Sequence, residues 1–172
     1  MTGLQFCYLP YLKSMNLIKK ILGKVVATAP VESIFPNENF TIFRVNMPEG
    51  LSFATVNTGY RNYHNKKCYP FLVAIELEIL EKNNNGHPTD IDAQRLNEIQ
   101  ENVESLLKQQ QTVHPLARVT RNGTRDIMMY IDKPVFSEKE LTGYCDNIRK
   151  ERKIVFSIQK DEKWNAVSGF LQ

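Results

Sequence analysis

The stretch Leu116-Ala-Arg-Val-Thr-Arg-Asn-Gly-Thr-Arg-Asp-Ile-Met-Met-Tyr-Ile131 decides how the chain is read. Asn122-Gly123 is the strongest short hairpin signal, because a type I′ turn needs positive φ at both central positions. That two-residue loop sets Thr120 opposite Arg125 and Arg118 opposite Ile127. One face then carries Leu116, Ile127, Met129 and Ile131. The other carries Ala117, Val119, Met128 and Tyr130. Both faces are half apolar, so something must cover the second, and a hairpin upstream is the candidate.

Working outward, Tyr69-Pro-Phe-Leu-Val-Ala-Ile-Glu-Leu-Glu-Ile-Leu80 alternates as a strand. Phe71, Val73, Ile75, Leu77 and Ile79 face a core, and Ala74, Glu76 and Glu78 face solvent. A loop, Lys82-Asn-Asn-Asn-Gly-His-Pro88, leads to a helix. Thr89 is its expected N-cap, with the Asp92 carboxylate reaching back, and Leu96, Ile99, Val103, Leu106 and Leu107 form its buried stripe. Ser137-Glu-Lys-Glu140 reads as the capping box of a second helix, with Leu141, Tyr144, Cys145 and Ile148 inward. Lys153–Gln159 is a last strand, and residues 163–171 form a short helix or turn. Upstream, Phe40–Asn46, a turn at Met47-Pro-Glu-Gly50 and Leu51–Tyr60 form another hairpin. From residue 69 the order is strand, helix, strand, strand, helix, strand. The expected fold is therefore α+β: a ferredoxin-like βαββαβ antiparallel sheet with two helices on one face, plus an N-terminal β-hairpin.

The first residues differ in character. Leu17, Ile18, Ile21, Leu22 and Val25 recur at helical spacing among Lys19, Lys20 and Lys24, which predicts a short basic amphipathic helix over 15–25. It reads as a self-docking terminal helix or as one that touches a membrane surface or a partner. Ala27-Thr28-Ala29 resembles a signal-peptide cleavage site, but the lysines interrupt any apolar core. Met1 and Met15 both stand as starts. The expected organisation is an extension with a linker over 1–39 and one α+β domain over 40–172.

The 172 residues are 42% apolar and 24% charged, with a formal net charge of +3. That is ordinary globular composition, and the charge names no partner. Cys7, Cys68 and Cys145 are far apart with no CxxC pair, which suits idle thiols in a reducing, cytoplasmic compartment. No apolar run reaches the roughly 20 residues of a membrane span. His64, His87 and His114 are expected in loops or at strand edges, solvated or in turns. Without ligand spacing among His and Cys, no metal and no cofactor are expected.

The chemistry that stands out is Arg118, Arg121 and Arg125. Their planar forks suit phosphate or carboxylate groups; the alternative is cross-strand pairing with Asp126, Asp132 or Glu76. Tyr130 and Trp164 join them as candidate anion- or partner-binding residues. Trp164 reads first as a cap on the core and second as a surface anchor. Glu76, Glu78 and Asp126 on the sheet face repel phosphate, so direct nucleic-acid binding is disfavoured.

Gly86-His-Pro88, the helix carrying Leu96 and Ile99, the run Arg118–Tyr130 and Asp161-Glu-Lys-Trp164 together resemble domain of unknown function 695, a largely bacterial family. The resemblance spans about residues 40–171 and implies a ferredoxin-like α+β domain. The departures are Ala117, where glycine is commoner, and the N-terminal extension. Two functions follow as expectations. The first is a non-catalytic protein-interaction or regulatory module, with an unknown protein partner or a second copy of the chain. The alternative is an enzyme or binder of a small anionic ligand through the arginines of the 116–131 hairpin.

Overall fold

A computed structural model describes residues 34–47, 50–134 and 138–172. The helix expected at 15–25, Pro48 and Glu49 of the first turn, and Ser137 of the second capping box lie outside them. Phe35–Gln172 form one compact unit. Its elements are β1 (Phe40–Met47), β2 (Gly50–Asn57), β3 (Phe71–Glu78), α1 (Asp90–Lys108), β4 (Val113–Arg121), β5 (Thr124–Ile131), α2 (Glu138–Arg149) and β6 (Ile154–Lys160). Short 3-10 turns occupy Thr58–Tyr60, His64–Cys68 and Asn165–Phe170.

All six strands join one sheet in the order β1-β2-β4-β5-β3-β6, with every neighbouring pair antiparallel. This corrects the expected fold class: the chain is not a ferredoxin-like βαββαβ sheet with an appended hairpin. The first hairpin is part of the sheet, with β2 paired along β4 from Phe53↔Thr120 to Val56↔Ala117. It does not cover the second face of the β4–β5 hairpin. The physical reason is that β4 would otherwise be an open edge, and unpaired backbone N–H and C=O groups attract a strand. Alternation along one strand says which face is apolar; it does not say which edge takes the next strand.

The second face has its own core. On the first face, Val73, Ile75, Leu77, Ile127, Met129 and Ile131 pack against Leu96, Ile99, Val103 and Leu107 of α1 and Leu141, Cys145 and Ile148 of α2. On the other, Ala54, Val56, Leu72, Val119 and Tyr130 pack under Tyr60, Tyr63, Tyr69, Trp164 and Val167. The face of β3 expected to meet solvent is therefore covered at Leu72 and partly at Ala74. The β4–β5 register is as expected, Thr120↔Arg125 and Arg118↔Ile127, but an irregularity between Pro115 and Ala117 inserts Leu116. A bulge resets the alternation, and Leu116 joins the second core with Ala117.

The start of α1 is tied from three directions. Thr89 Oγ1 accepts from the Asp92 N–H at 3.3 Å. The Asp92 carboxylate does not reach back to Thr89; it accepts from Leu80 N–H at 3.0 Å and from Arg152 Nη2 at 2.8 Å. Arg152 also donates to the Glu78 carbonyl, so one buried ion pair joins β3, α1 and the segment entering β6. Removing one member of such a pair strands the other charge. Asp92→Ala is expected to cost about 3–5 kcal/mol in urea unfolding. Arg95→Ala, which breaks the exposed Arg95–Glu151 pair, is expected to cost less than about 1 kcal/mol. Equal costs would refute the tie.

Candidate functional site

The sheet alternation separates the three arginines. Arg118 and Arg125 lie on the helix side, and both donate through Nη1 to Asn97 Oδ1 of α1, at 2.9 and 2.8 Å. Arg125 is 5% exposed. Burial pulls its guanidinium down to about 10, and Arg118 and Arg152 add to this against the opposing charge of Asp92. Arg121 is three residues from Arg118 and so points to the other face. There it pairs with Asp126 at 2.8 Å and lies 3.6 Å from Glu76. Burial raises the Asp126 carboxyl, and the contact with Arg121 works against that rise. Cross-strand pairing therefore describes Arg121, while Asp132 instead accepts from the Thr112 N–H.

Tyr130 and Trp164 lie in the second core, away from the Arg118–Arg125 pair. Their rings stack 4.0 Å apart at 10°. Tyr130 Oη donates to Asp161 Oδ2 at 2.7 Å, and Trp164 Nε1 donates to the Tyr69 carbonyl at 3.0 Å. Asp161 also accepts from the N–H groups of Asn165 and Ala166, and these bonds hold its carboxyl below the usual range against its desolvation. With no exposed ring surface, Trp164 is a core residue and offers no surface anchor.

Sequence reading missed a buried histidine in this core. His114 is neither solvated nor in a turn; it sits in β4 with no exposed surface. Its ring lies 3.9 Å from that of Tyr69 and 4.9 Å from that of Phe35. Nδ1 meets the Tyr60 hydroxyl at 2.9 Å, while Nε2 has no hydrogen-bond partner among the described residues. The available signal was position: His114 falls between Val113 and Pro115 at the start of a strand buried on both faces. Of the others, His64 is exposed and His87 is buried against Phe53. Among the described residues no group of three or more His, Cys, Asp or Glu could hold a metal ion.

The third feature is the helix side of β1 and β2. The helical core takes no residue from either strand, and Phe40, Ile42 and Phe53 are 58%, 69% and 37% exposed there. The Thr58 N–H donates to the Asn39 carbonyl at 2.7 Å, one step beyond the Phe40↔Asn57 pair. Bonded and non-bonded pairs alternate in antiparallel ladders, so the backbone groups of Phe40, Ile42 and Arg44 point away from β2. No described strand pairs with that edge. Two hollows flank this wing. One of about 680 Å³ is lined by Arg44, Lys82 and the Asn83–Gly86 loop. The other, of about 220 Å³, is lined by Phe40, Thr55, Gln100 and Arg118 among others. Among the described residues, no carboxylate lines either hollow.

Among the described residues, no helix is long and apolar enough to cross a membrane. Residues 38–172 match a family described as a family of unknown function, DUF695, and the chain belongs to that family. No curated protein and no solved structure matches it.

Burial of His114 gives a pH signature. Desolvation lowers its pKa from 6.5 to about 4, so the unfolded chain takes up the proton first as pH falls. Stability is full above about pH 6.5, declines toward pH 4 and loses nothing further from this group below that. The expected loss is up to about 3 kcal/mol. Urea titrations from pH 7 to 4 should show it in the native protein and lack it in His114→Phe. A decline of the same size in both proteins would assign it to other groups.

Proposed function

We propose that this member of the DUF695 family is a non-catalytic protein-interaction module whose β1–β2 wing receives an amphipathic helix from a partner protein. The occupant is apolar on one face and acidic along its flanks. The observation that carries the reading is the bare apolar strip itself. Two strands span about 10 Å, the width of one helix, so a docked helix would extend the α1–α2 layer over the rest of the sheet.

Charge supports the acidic flank. Arg44 and Lys82 stand at one end of the wing and Arg118 at the other, and among the described residues no carboxylate lines either hollow. Helix-in-groove recognition uses the same division, apolar anchors on one face with charge at the margin. The described residues that line the hollows include no nucleophile–base pair, which favours binding over catalysis. On the other face, Glu76 and Asp126 beside Arg121 disfavour nucleic acid. The buried thiol of Cys145 fits a cytoplasmic setting.

A photoreactive phenylalanine analogue at Ile42, compared with one at the equally exposed Ile91 of α1, tests this in producing cells. Cross-links specific to Ile42 should map to a helical segment of another protein that carries acidic residues. A synthetic peptide of that segment should bind the purified protein and gain helicity. Ile42→Asp should weaken it at least tenfold without loss of stability, since the side chain is exposed. Cross-links to a second copy of the chain, a peptide that binds as an added strand at β1, or equal cross-linking from Ile91 would each overturn the proposal.

A further inference from the structure

Two guanidinium groups converge on one neutral oxygen. Arg118 and Arg125 come from adjacent strands and reach the same Oδ1 of Asn97, which supplies a dipole but no countercharge. Neither forms an ion pair among the described residues, whereas Arg121 and Arg152 each hold a carboxylate at 2.8 Å. Arg125 is only 5% exposed, and its Nε has no hydrogen-bond partner among the described residues. Asp92 acts on Arg125 without forming an ion pair with it, so the buried charge is only partly compensated, which is costly, and an unpaired buried donor adds to that cost. The group that these donors lack is an anion.

We infer that Arg118, which lines the hollow between α1 and the β2–β4 strands, forms with Arg125 behind it on the same Asn97 oxygen a binding site for a small oxyanion, phosphate or carboxylate. Arg118 is only half-buried and opens onto that hollow, whose volume of about 220 Å³ admits either group. Thr55 lines the same space and offers a hydroxyl beside it. Charge-assisted bonds from a planar guanidinium to an oxyanion are among the strongest that side chains make. Bound there, the anion neutralises the mutual repulsion of two cations that now share one amide. This site stands on the polar floor alone and holds whether or not a helix docks on the wing.

Thermal unfolding at constant ionic strength tests it, with sodium phosphate and sodium acetate each exchanged against sodium chloride. At least one oxyanion should raise Tm in a saturable way that chloride does not reproduce. The preferred one identifies the source, phosphate ester or carboxylate. Arg118→Gln, a substitution at a half-exposed position that spares the fold, should weaken the response at least tenfold in midpoint concentration. Arg121→Gln, on the opposite face, should keep it. Titration calorimetry gives the same comparison without heating. No Tm response beyond chloride, or an unchanged midpoint in Arg118→Gln, would overturn the inference.

Discussion

A sheet has two faces, and this one is wider than its helices. One helix covers about two strands, since strands lie about 4.8 Å apart and a helix is about 10 Å across. Two helices therefore cover β4, β5, β3 and β6 and stop. On the other face, residues 58–70 and the C-terminal turn supply the cover without helix. They do so with large rings whose polar tips need partners: Tyr130 with Asp161, Trp164 with the Tyr69 carbonyl, Tyr60 with His114. Aromatic side chains with a polar end suit this role because irregular backbone leaves carbonyls within reach. The central strands are then buried on both sides, and β1–β2 remains bare on the helix side.

The charged groups divide by the same geometry. Where α1, β3 and the approach to β6 meet, Asp92 and Arg152 are both almost fully buried and compensate each other. A few ångströms of backbone along α1, Asn97 faces the wing side and meets two cations that form no ion pair among the described residues. The first arrangement locks elements together. The second leaves positive charge at the rim of the helical layer, where solvent or a ligand has access through Arg118. On the opposite face Arg121 meets Asp126 and Glu76, so the three arginines, similar in sequence, have three different electrostatic environments between them only because of strand parity and burial.

Much of the local structure was legible in the sequence. Asn122-Gly123 set the β4–β5 register, though with positive φ at Gly123 alone and so without the expected type I′ turn; Thr89 marked the start of α1, and 3.6-residue spacing found its buried stripe. These signals are local, and local chemistry decides them. The misses are all tertiary. Leu116 changed face because a bulge breaks a period that pattern reading assumes. The first hairpin went to the edge of β4, since open backbone groups, invisible in hydropathy, attracted it. His114 was read as solvated because histidine is polar, while its place in a doubly covered strand was fixed by residues 58–70 and 164–167. The hairpin register already put Arg118 and Arg125 on one face, with Arg121 near the turn. What it lacked was Asn97, brought from α1 by packing.

The bare wing and the uncompensated arginines are neighbours for one reason: both lie where the helical layer ends. The flank of α1 that presents Asn97 and Gln100 is the wall of the wing, and Arg118 is in the floor beside it. Any group that covers Phe40 and Ile42 must also come to rest against that flank. A purely apolar cover would seal Arg118 from water and leave its charge still unpaired, at a cost that grows with burial. A cover with a carboxylate at its edge, or an oxyanion already in place, removes that cost. Under the proposed docking, charge at the rim would select among occupants that the apolar strip alone would accept equally, because specificity arises from a penalty on the wrong partner as much as from contacts with the right one.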